Sequence, residues 1–207
     1  MLWLDGKLPV PKRICWHEQN GTAYLLMTEM PGYMCCEGAE DDIRRPLDNT
    51  IKLLAEGILA LQSLDISNCP FDNTLNNKLT QALYNIENNL VDMETWDNDN
   101  EFSSPEELYN WLKANKPPED ICFTHGDYCP PNIFIGGTEL TGFIDVGRAG
   151  IADKYQDIAL CVRSLKHNLG NMAQNEKDKY ISLLFSHLSI KPDPDRIRYY
   201  ILFDELF

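Results

Sequence analysis

Leu47, Ile51, Leu54, Ile58, Leu61 and Leu64 step by three and four residues, the spacing that lines up one buried face of a helix. Leu75, Leu79, Leu83, Ile86 and Leu90 repeat the pattern. A third helix is announced by its start: Ser104-Pro105-Glu106-Glu107 offers an N-cap, a proline in the first turn and a capping-box acid ahead of Leu108, Trp111 and Leu112. Further helices are expected at about 155–169, 178–188 and 195–206. The segment 8–30 reads instead as short extended pieces. Its prolines at 9 and 11 oppose helix, and Tyr24 to Thr28 is a strand-like run after the Asn20-Gly21 turn. After Pro117-Pro118 the runs 121–124, 133–135 and 140–144 are short and apolar, the last two separated by Gly136-Gly137 as in a hairpin.

Composition narrows what such a chain does. With 207 residues, 43% apolar, it is long enough for a substantial core. Eighteen basic residues against thirty-two acidic ones leave a formal charge of −14, a field that repels nucleic acid and anionic lipid and concentrates cations. No apolar stretch approaches membrane-spanning length, and Met1-Leu2-Trp3-Leu4 is cut off by Asp5, Gly6 and Lys7. Neither a membrane span nor a signal peptide is expected, and the expected location is the cytoplasm. Seven irregularly spaced cysteines without a C-x-x-C pair fit reduced, packed thiols better than zinc or a disulfide framework. Between 94 and 107 lie six acids and no Lys or Arg, which predicts an exposed acidic loop.

Candidate chemistry sits between the strand-like runs. His125-Gly126-Asp127-Tyr128-Cys129-Pro130-Pro131-Asn132 has the His-x-Asp-x-x-x-x-Asn spacing of a phosphoryl-transfer loop. Asp127 is in place to orient an acceptor hydroxyl and take its proton, and Asn132 to turn an amide oxygen toward magnesium. Thirteen residues after Asn132, Asp145-Val146-Gly147 matches the metal-binding Asp-x-Gly element. Alone, each is compatible with an ordinary turn; their order, spacing and strand context together point to one site.

These residues, with 142–150, 152–159 and the terminal Leu202-Phe203-Asp204-Glu205-Leu206-Phe207, resemble the aminoglycoside 3'-phosphotransferases over nearly the whole chain. The resemblance implies an α+β, protein-kinase-like fold: a mainly helical C-terminal lobe with a catalytic β-hairpin and a remnant of the N-terminal sheet, divided at 1–30 and 31–207. It implies ATP and magnesium as cofactors, and phosphorylation of the 3'-hydroxyl of an aminoglycoside antibiotic, conferring resistance. Asp127 is then the catalytic carboxylate, Asn132 and Asp145 the metal ligands, and Met27, Thr28 and Met30 part of the adenine hinge. Glu94, Asp97, Arg148, Asp204, Glu205 and the Phe207 carboxylate would hold the antibiotic, with Arg148 equally placed to meet a phosphate or an internal carboxylate. Asp157 falls where such enzymes bond a helix-borne acid to the catalytic loop.

The chain departs from a complete kinase in one respect. It has no G-x-G-x-x-G loop and no V-A-x-K-like strand lysine, so the expectation is a shortened member with weak ATP binding. A kinase for another small amine or sugar, and a non-catalytic remnant that binds the antibiotic, stay open as alternatives. Oligomeric state is not legible.

Overall fold

The computed structural model describes residues 1–37, 42–43, 46–94, 96 and 101–207. The described residues form six α-helices: α1 (Leu47–Gln62), α2 (Leu75–Glu87), α3 (Pro105–Ala114), α4 (Tyr155–Asn168), α5 (Gln174–Leu188) and α6 (Pro194–Asp204). Each lies where the apolar spacing predicts one. Ser104 caps α3 by accepting from the Glu107 amide at 3.3 Å, and Asp193 caps α6 by accepting from the Arg196 amide at 3.1 Å. Both helices carry proline in the first turn, where the missing N–H costs nothing.

The helices surround one core. Helix α1 buries Ile51, Leu54, Ile58 and Leu61, and it packs on α5 and on strand β6 (Ile121–Thr124). Helix α4 is buried along almost its whole first half, polar Gln156 and Asp157 included, and it packs on α5 and α6.

The strands form small antiparallel sets. β1 (Arg13–Gln19) pairs with β2 (Thr22–Met27) across the Asn20-Gly21 turn, whose two residues both have positive φ, as a tight hairpin with right-handed twist requires. Ile14, Trp16, Tyr24, Leu25 and Leu26 of this hairpin are all exposed. β3 (Tyr33–Met34) joins the hairpin β7 (Ile133–Gly136) and β8 (Glu139–Phe143), β4 (Cys36–Glu37) pairs with β5 (Asp42–Ile43), and β6 pairs with β9 (Gly150–Asp153). The sequence pattern does not foretell β3, β4, β5 or β9. Three have only two residues, too short for any period, and β9 has one bulky apolar side chain.

None of the seven cysteines is in a disulfide; Cys35, Cys36 and Cys161 are buried. No helix of the described residues is long and apolar enough to cross a membrane.

One contact ties α1 to the loop after β6. The Tyr128 hydroxyl, fully buried, donates to the Leu54 carbonyl at 2.7 Å, and it fits because residue 57 is glycine. A Cβ there would lie 2.2 Å from the Tyr128 oxygen. Replacing an interior helical glycine by alanine ordinarily stabilises by about 0.8–1 kcal/mol. Here Gly57→Ala is expected to destabilise by about 1–3 kcal/mol through overpacking, read as a lowered midpoint of thermal unfolding. Adding Tyr128→Phe should recover part of the loss, and a stabilised Gly57→Ala chain would contradict the contact.

Candidate functional site

The segment 125–132 leaves β6 of one sheet and ends at β7 of another, so both its ends are held by strands. Its first two peptide units are also fixed from α4. Asp157, 1% exposed, accepts from the His125 amide at 2.7 Å with one carboxylate oxygen and from the Gly126 amide at 2.9 Å with the other. Burial pushes the Asp157 carboxyl above the usual range, against the pull of His125, the two amides and Lys78. Only glycine fits at 126: φ is +83°, and a Cβ would come within 2.0 Å of the Arg148 carbonyl oxygen. The His125 ring turns inward, with Nε2 2.8 Å from the Ile144 carbonyl, which leaves it a fixed structural group on the loop.

Asp127 follows this anchored pair and is partly exposed. Asn132 reaches back to it, its Nδ2 donating to the Asp127 carbonyl at 3.0 Å and to the Asp127 carboxylate at 3.1 Å. With its nitrogen so engaged, the remaining amide oxygen is a free oxygen donor for a hard cation. The Ile144 amide donates to the Asn132 carbonyl at 2.9 Å, so Asp145 stands at the end of β8 one residue beyond that link. Asp145 is exposed and adopts φ 53°, ψ 47°, a left-handed conformation that short acidic side chains tolerate best among non-glycine residues. Among the described residues no set of three or more His, Cys, Asp or Glu is placed to hold a metal by itself.

On one side of Asp145 a pocket of about 290 Å³ is lined by Met1, Pro11, Leu25, Met27, Asp145, Val146 and Gly147. Met27 thus shares a cavity with Asp145. Thr28 is instead tied to the neighbouring strand, its hydroxyl accepting from the Lys12 amide at 2.9 Å, and Met30 is buried against Gly142 of β8.

On the other side lies a pocket of about 400 Å³ that includes Gly126, Arg148 and Phe207. Arg148 meets an internal carboxylate: Asp204 accepts from Arg148 at 3.3 Å and from Arg163 at 2.6 Å. The C-terminal turn is held by α2. The Asn85 side chain donates to the Leu206 carbonyl at 2.8 Å, and the Lys78 ammonium sits 4.7 Å from the centre of the Phe207 ring. Glu94 is exposed on the loop after α2, where its amide donates to Asp92 at 2.8 Å. Asp97 lies outside the described residues.

Sequence reasoning passed over Lys78, Gln156 and the Tyr128 hydroxyl. Gln156 and Asp157 carried a signal, since two adjacent polar residues in the apolar sequence Tyr155 to Val162 must find partners once the helix is buried. Cys129, beside Asp127 in sequence, is no candidate nucleophile: burial, reinforced by Asp127, pushes its thiol up to about 12, far from the thiolate form that reacts.

Known proteins share this fold and much of this sequence. Residues 1–200 match the family model for the phosphotransferase enzyme family. An aminoglycoside 3'-phosphotransferase of Enterococcus faecalis is 46% identical over 209 aligned residues, covering 100% of this chain and 76% of that protein. One from Staphylococcus aureus is 44% identical with the same coverage. Among solved structures, an aminoglycoside-3'-phosphotransferase of type VIII superposes with a TM-score of 0.83 at 29% identity, over 100% of this chain and 77% of its own. A Streptomyces rimosus aminoglycoside phosphotransferase, solved in complex with ADP and streptomycin, gives 0.84 at 25% identity, over 99% of this chain and 78% of its own. The kinase-like α+β architecture expected from the motifs is the one these relatives have, and the chain belongs to the aminoglycoside 3'-phosphotransferases of the phosphotransferase enzyme family.

Proposed function

We propose that the chain transfers the γ-phosphoryl group of ATP to the 3'-hydroxyl of an aminoglycoside antibiotic, and that this inactivates the drug. The observation that carries the reading is the Asp127–Asn132 pair on a loop whose backbone is locked by Asp157. Phosphoryl transfer asks little covalent chemistry of a protein and much positioning, and positioning is what this loop provides.

In the proposed reaction the Asp127 carboxylate accepts a hydrogen bond from the acceptor hydroxyl, aligns it with the phosphorus and takes its proton as the new P–O bond forms and the bond to ADP breaks. The Asn132 amide oxygen and the Asp145 carboxylate would hold magnesium, two hard oxygen donors that suit that ion when phosphates and water complete the shell. Bound magnesium would neutralise charge on the phosphates. Residues 1–30, with Met27 facing the pocket that contains Asp145, form the nucleotide side in this reading; Thr28 and Met30 shape it through backbone and packing. Residues 31–207 supply the catalytic and acceptor side. There Glu94, Asp97, Glu205 and the Phe207 carboxylate offer acceptors to the drug's ammonium groups, while Asp204 and Arg148 act as a pair that fixes the C-terminal turn. The formal charge of −14 favours capture of a polycation.

The test is ADP release with ATP, magnesium and kanamycin, followed by phosphorus NMR of the product. Phosphate on the 3'-oxygen is expected, and ADP release without a phosphorylated drug would sink the reading. Asp127→Ala should lower kcat by about 10²–10⁴-fold with kanamycin affinity little changed, as measured by steady-state kinetics and direct binding. Asp145→Asn should raise the magnesium concentration needed for half-maximal rate by about tenfold or more, since one charged ligand of the ion becomes neutral. An unchanged magnesium dependence would remove Asp145 from the metal site.

A further inference from the structure

The pocket behind the catalytic loop holds two hydrogen-bond donors that lack an adequate acceptor. Lys78 on α2 and Gln156 on α4 both line it. The Lys78 ammonium donates at 3.0 Å to the neutral oxygen of Gln156 and lies over the rings of Phe203 and Phe207 at 5.3 and 4.7 Å. No carboxylate among the described residues forms an ion pair with it. Gln156 is 1% exposed, and its Nε2 has no partner at all. A buried amide donor without an acceptor costs about 1–3 kcal/mol, and an enclosed ammonium with only a neutral partner adds to that. Burial also holds the Lys78 amine down to about 8, with Asp204 pulling the other way; a bound anion would restore it.

The rest of the lining shows what kind of group completes the pair. Phe71, Ala149, Ala152 and Phe207 give the pocket an apolar wall, beside the polar side chains of Asp72, Asn73, Asn77, Gln81 and Thr124. Its volume of about 400 Å³ is within the range of pockets that take small organic ligands. The arginine of the lining, Arg148, pairs with Asp204, and Asn73, Asn77, Gln81 and Thr124 donate to protein acceptors. The ammonium and the amide are left, two groups that match the two oxygens of one carboxylate.

We propose that this pocket binds a small organic carboxylate with a flat apolar body, its carboxylate received by Lys78 Nζ and Gln156 Nε2 and its body packed between Phe71 and Phe207. This is a ligand of opposite charge to the proposed cationic acceptor, and its binding is independent of any phosphoryl transfer.

Benzoate is the probe, titrated into the full chain by calorimetry without nucleotide or drug, with benzamide as its neutral isostere and inorganic phosphate as the bare anion. Saturable benzoate binding is expected, weakened at least about tenfold by Lys78→Met and by Gln156→Leu and retained by Lys78→Arg. Benzamide should bind at least about tenfold more weakly than benzoate. If Lys78→Met does not fold, the comparison of Gln156→Leu with Lys78→Arg carries the test. The proposal is overturned if benzoate does not bind saturably, if benzamide binds as well, if phosphate binds in preference, or if folded variants at 78 and 156 bind as the wild type does.

Discussion

The two hydrogen bonds from the backbone of His125 and Gly126 to the Asp157 carboxylate are the constraint from which the site is built. A buried carboxylate is costly to desolvate, and the cost is offset only where donors converge on it; bonds of this charge-assisted kind are worth about 1.5–3 kcal/mol each. Helix α4 can therefore carry an acid in its interior only while the loop between β6 and β7 stays in place, and the loop keeps its shape only while α4 is docked. Each requires the other. Gly126 has no side chain because the Arg148 carbonyl occupies that space, and Tyr128 locks the far side of Asp127 into α1.

Asp127 is consequently placed by contacts on both of its flanks and by Asn132 in front. In the proposed reaction a carboxylate held this way loses little on meeting its substrate, which is the advantage of a preorganised site. The two pockets meet at Gly147 and differ in character. One brings the strand residue Met27 to Asp145. The other is closed by the C-terminal turn, whose position depends on Asn85, Lys78 and the pair of arginines on Asp204.

Legibility in the sequence followed the range of each interaction. Helices α1, α2 and α4 to α6 are readable because about three to four turns of apolar spacing repeat one message, α3 because Ser104-Pro105 announces its start, and the β7–β8 hairpin because its runs flank Gly136-Gly137. Two-residue strands such as β3 have no pattern to read, and β9 owes its existence to β6 beside it. Asp127, Asn132 and Asp145 stood out through spacing within one short segment. Asp157 lies 31 and 32 residues from the amides it receives, so only the family resemblance pointed to its role. Arg148 can be read as meeting either a phosphate or a carboxylate; in three dimensions it pairs with Asp204, 56 residues away. Lys78 carries no signal in the sequence, because periodicity along one helix says nothing of what packs opposite.

The most direct test of this dependence is steady-state turnover of Asp157→Ala beside the wild-type chain, with ATP, magnesium and kanamycin. If Asp157 places the catalytic carboxylate, kcat falls by about tenfold or more while the KM for kanamycin stays within about twofold, the signature of a lost transition-state interaction. A folded Asp157→Ala chain with wild-type kcat would contradict the account.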